Sequence, residues 1–215
     1  MEKNVELLSL GAELMGLRLD DVEQGRLIQY LELIIKWNRV YNLTAIQDPA
    51  KIITHHFFDC LAVTPYIKKG NWLDVGSGAG LPGMVLAIVK PESTFTLLDT
   101  SGKKTSFMQQ VAIELKLKNV QVACERIEKL SRKNRFDGII SRAFSEIANF
   151  IQLTEGLLEN KGCWIAMKGK PEEEIKNLPS NISVTEIVQL KVPYLDASRC
   201  IVIMKEKNDK NNGNN

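Results

Sequence analysis

The feature that most constrains this 215-residue chain is segment 71–83, NWLDVGSGAGLPG, in which a short apolar run changes abruptly into glycines. Trp72, Leu73 and Val75 have the pattern of a buried strand, and the apolar segment 81–89 has the length of a helix packed on a sheet. Glycines carry no Cβ atom, so the backbone between them turns sharply and approaches a ligand closely. The segment therefore predicts a strand, a ligand-binding loop and a helix.

Two ligand classes fit this loop. Gly78, Gly80 and Gly83 satisfy the GxGxxG pattern of dinucleotide sites, which is a weak signal alone. The string DVGSGAG resembles the first motif of class I S-adenosylmethionine-dependent methyltransferases, in which an acidic residue, here Asp74, lies near the cationic end of the methionine moiety. A pyrophosphate beside that carboxylate would be repelled, so Asp74 favours S-adenosylmethionine. The alternative interpretation of Asp74 is a solvated carboxylate in the turn.

A second carboxylate supports a nucleoside ligand. Segment 95–98 predicts a strand that ends at Asp99, about 20 residues beyond the loop, where a carboxylate can accept hydrogen bonds from both ribose hydroxyls. This spacing fits NAD and S-adenosylmethionine equally. Asp99 could instead cap a helix, because Thr100 and Ser101 follow it. We favour the ribose role because it agrees with the glycine loop.

The composition is that of an ordinary globular protein, with 44% hydrophobic and 25% charged residues. No segment has the length of a membrane span, and no secretory signal precedes Glu2 and Lys3, so we expect a cytoplasmic protein. The four cysteines are far apart and only two adjacent histidines accompany them, which predicts neither a zinc site nor disulfides. All four cysteines are expected to be buried, because each lies in or beside an apolar run.

Positive charge is concentrated in one part of the chain. The net charge is only +2, but segment 101–142 holds ten basic residues against four acidic ones. Such a patch can contact phosphates. Solvated helix faces explain the same residues equally well.

The order of predicted elements indicates a doubly wound α/β fold. Strands alternate with helices from residue 71 onward, which predicts a mostly parallel sheet with helices on both faces. Segments 183–190 and 200–204 lack a helix between them and should pair antiparallel at the sheet edge. Residues 1–70 are predicted to form a helical extension, residues 71–205 the core, and residues 206–215 a disordered polar tail.

A histidine and aspartate cluster lies in the extension. The predicted helix 51–66, which Asp48 caps and Pro49 opens, places His55, His56 and Asp59 on one face. A histidine paired with Asp59 has three interpretations: part of a metal site, a proton relay or a structural hydrogen bond. We favour the structural hydrogen bond, because one such pair lacks the further ligands that a metal requires. Whether this cluster and Asn42 shape the site or only cover the sheet stays open.

Six strings together identify the chain as similar to one family. They are YNLTAI (41–46), His56-x-x-Asp59, DVGSGAGLPG, LLDTSGKKTSF, FDGIISRAF and MKGK, and they resemble the RsmG family, also called glucose-inhibited division protein B. That family methylates N7 of a guanine in bacterial 16S ribosomal RNA. The resemblance implies a seven-stranded class I methyltransferase fold, S-adenosylmethionine as cofactor, and 16S rRNA or the 30S subunit as partner. It implies no metal, and nothing in the sequence points to a dimer, so we expect a monomer.

The resemblance also implies roles for individual residues. Gly76, Gly78 and Leu81 would belong to the cofactor loop with Asp74, and Asp99 to the ribose site. Ile127 and Glu128 would form the adenine pocket, although core packing and a solvated charge explain them as well. Arg142 would serve the site at the end of the fourth strand, with a buried salt bridge as the alternative.

The chemistry expected of this family needs little from the protein. Guanine N7 has a free lone pair, so methyl transfer to it requires no general base. We expect Arg142 and Lys168 to orient the base or hold phosphate, with Lys103 and Lys104 as a secondary phosphate contact. A solvated lysine is the alternative for Lys168. Competing functions are a methyltransferase with a small-molecule or protein acceptor, and a non-catalytic RNA-binding assembly factor.

Overall fold

The computed structural model describes residues 2–133 and 135–207, and its centre is a seven-stranded sheet of order β3-β2-β1-β4-β5-β7-β6. Strands β1 to β5 run parallel, and β7 lies antiparallel between β5 and β6. This arrangement confirms the predicted fold class, including the antiparallel hairpin at the edge. The strands are β1 (Asn71–Val75), β2 (Thr94–Asp99), β3 (Val120–Cys124), β4 (Phe136–Arg142), β5 (Leu158–Lys168), β6 (Ile182–Gln189) and β7 (Cys200–Glu206).

Helices cover both faces of the sheet. Neighbouring strand residues enter opposite cores, because side chains alternate along a strand: Ile140 belongs to one core and Ile139 to the other. The first core contains the N-terminal helices and the helices after β1 and β2, and the second contains the helix after β4. The helices in chain order are α1 (Glu2–Leu14), α2 (Asp21–Tyr41), α3 (Pro49–Ile52), α4 (Phe58–Leu61), α5 (Gly83–Val89), α6 (Gly102–Glu114), α7 (Ile147–Thr154) and α8 (Glu172–Ile175).

Helix α2 begins with a capping box and extends to the glycine loop. Asp20 and Glu23 form a capping box, in which the Glu23 amide donates to Asp20 Oδ1 at 2.7 Å and the Asp20 amide donates to Glu23 Oε2 at 2.9 Å. The hydroxyl of Tyr30, which is fully buried, donates to the carbonyl of Ala79. The first core is therefore continuous from the N-terminal helices to the sheet, and the domain boundary at residue 70 stays a prediction.

The prediction of one helix over residues 51–66 is wrong. Between α3 and α4 lies a π-helical turn, Ile53–Phe57, and a 3₁₀ turn, Thr64–Tyr66, follows α4. A π turn shifts the hydrogen bonds from four to five residues apart, so side chains after it rotate away from the positions that α-helical spacing predicts. This turn contains both histidines, and it changes what they and Asp59 contact.

Several smaller expectations also need correction. Cys124 at the end of β3 is exposed, whereas Cys60 and Cys200 are buried as expected and Cys163 is half-buried. Glu206, the first residue of the predicted tail, is the last residue of β7, and residues 208–215 of that tail lie outside the described part of the chain. Among the described residues no helix combines the length and apolarity needed to cross a membrane.

Candidate active site

The glycine loop forms a cradle at the carboxyl edge of the parallel sheet. Gly76 and Gly78 adopt φ angles of 72° and 60°, which side-chain-bearing residues rarely adopt. The amides of Gly76 and Ser77 donate to the carbonyl of Leu98 at 2.9 and 3.0 Å, so the loop is tied to the end of β2. A Cβ atom on Gly78 would meet nothing closer than 3.9 Å. The backbone here is thus open to a ligand on the side where a side chain would point.

Two cavities meet at this cradle and share Gly76 and Ala143. The first has a volume of about 620 Å³ and lies between the loop, the π turn and the end of β4. The second has a volume of about 450 Å³ and lies over the ends of β2 and β3. We call them the acceptor cavity and the nucleoside cavity. A crevice at the carboxyl ends of the strands is the usual ligand position in open α/β sheets.

The nucleoside cavity contains the residues expected to hold an adenosine. Asp99 is almost buried, and its oxygens accept hydrogen bonds from the amides of Gly78 at 2.9 Å and Ser101 at 2.8 Å. Helix α6 begins at Gly102 with Ser101 at its N-cap position, so Asp99 is not the helix cap. Ile127 gives the cavity a buried apolar wall, and the exposed Glu128 lies at its rim. A carboxylate beside an apolar slot fits a ribose and a base.

The position of Asp74 agrees neither with contact to the cofactor nor with a solvated carboxylate in the turn. Its side chain is fully buried, and Oδ2 accepts a hydrogen bond from the Gly83 amide at 2.8 Å, while Oδ1 has no protein partner. A solvated turn carboxylate is therefore wrong. Asp74 lies outside the linings of both cavities, so the structure gives it the role of fastening the loop to the start of α5.

This burial predicts a pH dependence of stability. Burial raises the pKa of Asp74 from 3.8 to about 7, so the folded protein holds this proton more tightly than the unfolded chain. The contribution of this protonated carboxyl group to the free energy of unfolding is fully present below pH 3.8 and is lost as the pH rises through about 7. The total loss is at most about 4 kcal/mol. His56 acts in the opposite direction in the same range, because its pKa is lowered to about 4.

Denaturant unfolding at several pH values separates the two contributions. The difference in the free energy of unfolding between the parent protein and Asp74→Asn should fall between pH 4 and pH 7.5, since only the parent ionises at this position. A pH-independent difference would show that Asp74 is ionised throughout.

The acceptor cavity is built around Arg142 at the end of β4. Its Nη1 lies 3.2 Å from Asp59 Oδ2 and 3.3 Å from His56 Nδ1. Asp59 is also 3.3 Å from Nε of Arg199, which precedes β7. The alternative prediction of a buried salt bridge for Arg142 is thus met, and the same side chain lines the cavity. Two cations and one buried carboxylate leave net positive charge at this wall.

The expected pairing of histidine with Asp59 is wrong. Asp59 pairs with two arginines, and His56 contacts Arg142 and the hydroxyl of Thr44, the latter at 2.8 Å. Burial, followed by the charge of Arg142, lowers the pKa of His56 to about 4, so this ring is neutral at pH 7. Asn42 is the C-cap of α2 in the left-handed conformation, and its side chain is exposed and lies outside the linings of both cavities. Within the described residues no group of three His, Cys, Asp or Glu side chains is arranged for a metal.

The three lysines that sequence reasoning selected occupy different positions. Lys168 lines the acceptor cavity, but its ammonium group is bound by both oxygens of Glu174 at 2.7 and 3.0 Å and by the Ser145 carbonyl at 2.7 Å. The solvated alternative is wrong, and Lys168 holds the segment after β4 in place. Lys104 lines the nucleoside cavity with Nζ 3.8 Å from Asp99. Lys103 is exposed and lies outside both linings.

Three residues of this site were not singled out from the sequence. Arg199 reaches Asp59, Thr44 contacts His56, and Tyr30 supports the loop through Ala79. Thr44 lies inside the string YNLTAI that carried the resemblance, which is the signal that could have found it. Arg199 and Tyr30 have no comparable local signal.

Alanine at Gly78 should separate ligand binding from folding. Its Cβ atom meets no protein atom and would occupy open space beside the cradle, while the φ of 60° costs on the order of 1 kcal/mol of stability. We expect Gly78→Ala to stay folded and to bind S-adenosylmethionine at least about tenfold more weakly by calorimetry. Gly25→Ala, in an exposed helical position with open surroundings, is the matched control. Unchanged affinity of Gly78→Ala for S-adenosylmethionine would show that the glycine cradle does not belong to the binding site.

Solved structures with the same fold are methyltransferases. The Bacillus subtilis tRNA methyltransferase TrmK superposes with a TM-score of 0.58 at 15% identity, covering 69% of this chain and 65% of that one. A SAM-dependent methyltransferase from Aquifex aeolicus superposes with a TM-score of 0.56 at 19% identity, covering 76% of this chain and 96% of the other. At such identities these likenesses establish the fold alone.

Sequence comparison is far more specific. The family model GidB, described as rRNA small subunit methyltransferase G, matches residues 23–202. The ribosomal RNA small subunit methyltransferase G of Laribacter hongkongensis is 46% identical over 198 residues, which cover 92% of this chain and 96% of that protein. The protein of the same name from Stutzerimonas stutzeri is 45% identical over 207 residues, with 95% and 96% coverage. The resemblance inferred from the six strings is confirmed: the chain belongs to the GidB family of small-subunit rRNA methyltransferases.

Proposed function

We propose that this protein transfers a methyl group from S-adenosylmethionine to N7 of a guanine in 16S ribosomal RNA. Family membership supports the enzyme class and cofactor. The observation that carries the proposal is the juxtaposition of a nucleoside cavity and an arginine-lined acceptor cavity on either side of Gly76. A cofactor that spans this glycine would have its adenosine on one side and its reactive end facing the other.

The residues divide between the two ends of the cofactor. Asp99 would accept hydrogen bonds from the ribose, because each of its oxygens accepts only one backbone amide and retains a free lone pair. Ile127 would pack on the adenine, and Glu128 would contact its edge. Gly76 and Gly78 would let the methionine moiety approach the backbone. Leu81, which is buried beside the loop and lines the acceptor cavity, would contact that moiety as well.

The protein's contribution to the reaction is orientation and electrostatics. When bound, S-adenosylmethionine supplies an electrophilic methyl group, which N7 accepts through its lone pair without loss of a proton. Arg142 is held in one position by Asp59 and His56, so it presents its remaining N–H donors to the acceptor cavity without reorganisation. Lys168 acts indirectly, because its ammonium is occupied by Glu174 and Ser145.

The RNA-facing surface is proposed from exposed charge. Arg126 and Glu128 line the nucleoside cavity, and exposed basic residues continue from this rim along the segment before β4. They are Arg126, Lys129, Arg132, Lys133 and Arg135. Such a stripe can contact the phosphates that flank a target base. We further propose that a single copy of the chain acts on the 30S subunit or its RNA in the cytoplasm.

A transfer assay tests the proposal. Labelled S-adenosylmethionine is incubated with the protein and either 30S subunits or naked 16S rRNA from cells that lack the gene. We expect incorporation that approaches one methyl group per RNA, with subunits from cells that retain the gene as the premethylated control. Binding of the cofactor with no label in either RNA would refute rRNA as the acceptor.

A further inference from the structure

Thr44 is held rigidly at the wall of the acceptor cavity. The side-chain amide of Asn38 donates to the Thr44 carbonyl at 2.9 Å, and Asn38 Oδ1 accepts from the Thr44 amide at 2.9 Å. Asn38 lies in the last turn of α2, so this double contact fixes the backbone of Thr44 to a helix of the first core. The position of the Thr44 hydroxyl is therefore set by the fold.

The oxygen of this hydroxyl has two hydrogen-bond partners. The amide of Ile46 donates to Thr44 Oγ1 at 3.1 Å, and His56 Nε2 lies 2.8 Å from the same oxygen. The direction of the second bond depends on the histidine tautomer. Arg142 decides it, because guanidinium Nη1 always carries hydrogens and lies 3.3 Å from His56 Nδ1, which must then present its lone pair.

This assignment places the ring hydrogen on His56 Nε2. The other tautomer would have its hydrogen on Nδ1, which lies 3.2 Å from the His55 carbonyl, but that hydrogen would face the guanidinium hydrogens of Arg142. Nε2–H therefore donates to Thr44, and both lone pairs of the hydroxyl oxygen are used. The hydroxyl hydrogen has no protein acceptor among residues 2–133 and 135–207, and Thr44 lines the acceptor cavity. Thr44 is thus locked as a hydrogen-bond donor toward the substrate.

We propose that the Thr44 hydroxyl donates a hydrogen bond to O6 of the target guanine and selects guanine over adenine. This inference rests on the proposed function, because it assumes that the base enters the acceptor cavity with N7 toward the cofactor. On that edge guanine has two acceptors, N7 and O6, and N7 must stay free to accept the methyl group. O6 is then the acceptor that an oriented donor can use.

The chemistry favours a neutral donor of fixed direction at this position. The base gains positive charge when N7 is methylated, and a hydroxyl of fixed direction orients the base at O6 without adding further charge there. Adenine carries an amino group in place of O6. A hydroxyl whose lone pairs are both used has no acceptor for that amino group, so adenine would leave two donors facing each other.

A double-substitution cycle tests the contact. Subunits are reconstituted with 16S rRNA that carries either guanine or 2-aminopurine, which lacks O6, at the position methylated by the protein. Each RNA is assayed for kcat/KM with the parent protein, Thr44→Val and Thr44→Ser. We expect loss of about 10-fold to 100-fold for Thr44→Val on guanine and a similar loss for the parent protein on 2-aminopurine.

The cycle identifies the contact because the two losses should not multiply. Thr44→Val should lose little more on 2-aminopurine, Thr44→Ser should stay within about threefold of the parent, and the Kd of S-adenosylmethionine should be unchanged in both. Multiplicative losses, or a weakened cofactor Kd, would overturn the inference while leaving the proposed function intact. Absence of transfer by the parent protein to guanine would overturn both. The comparison of the two RNAs with the parent protein does not depend on the folding of any variant.

Discussion

Arg142→Ala is expected to reduce kcat/KM for methylation of 30S subunits by about 10³-fold. The side chain of Arg142 hydrogen-bonds to both Asp59 and His56, is 20% exposed, and lines the acceptor cavity. Its loss removes the oriented donors of that wall. Asp59 retains Arg199, so the cost in the free energy of unfolding should be at most about 3 kcal/mol.

Two further variants separate catalysis from stability at this position. Arg142→Lys keeps the charge and can at most replace the contacts that Nη1 makes to Asp59 and His56. It lacks the further N–H donors of the guanidinium, so we expect most of the activity to stay lost. Arg18→Ala removes an exposed arginine outside both cavity linings and should be silent. A folded Arg142→Ala protein with full activity would exclude Arg142 from the site.

Asp99→Ala is expected to weaken the binding of S-adenosylmethionine by about 100-fold or more. A side-chain carboxyl group that accepts hydrogen bonds from two ribose hydroxyls contributes both of them to binding, and alanine replaces neither. The same change frees the amides of Gly78 and Ser101, which loosens the cradle. Calorimetric titration with S-adenosylmethionine and with S-adenosylhomocysteine measures the effect, and both ligands should lose affinity equally because they share the ribose.

The matched comparison for this prediction is Asp99→Asn. Its single side-chain oxygen can accept only part of the same hydrogen bonds, so we expect an affinity between those of the parent and Asp99→Ala. Glu13→Ala removes an exposed carboxylate on α1 and serves as the control. An unchanged Kd in Asp99→Ala would show that the nucleoside lies elsewhere.

The parts of the fold that the sequence predicts are those governed by local pattern. Strands β1 and β2 follow from short apolar runs, the loop from its glycines, and the position of Asp99 from the end of the second run. Each of these features depends on residues within one turn or one strand, so each is visible without the tertiary structure.

The features that the sequence does not predict depend on contacts between residues far apart in the chain or on a local change from α-helical to π-helical hydrogen bonding. No sequence pattern distinguishes the π turn 53–57 from an α-helix, yet it decides what His56 and Asp59 contact. Arg199 reaches Asp59 because β7 inserts antiparallel beside β5, with Cys200 opposite Lys168. The burial of Asp74 follows from the packing of α5 and the loop. The sequence alone does not show whether a single aspartate is buried or exposed.

Nucleoside mass spectrometry of 16S rRNA shows whether this protein makes 7-methylguanosine in that RNA, as we propose. Cells that lack the gene are complemented with the parent protein or with Arg142→Ala, and the purified 16S rRNA is digested and quantified. We predict one additional 7-methylguanosine per 16S rRNA with the parent protein and none with the variant. Unchanged 7-methylguanosine in the parent sample, or gain of a different methylated nucleoside, would contradict the claim.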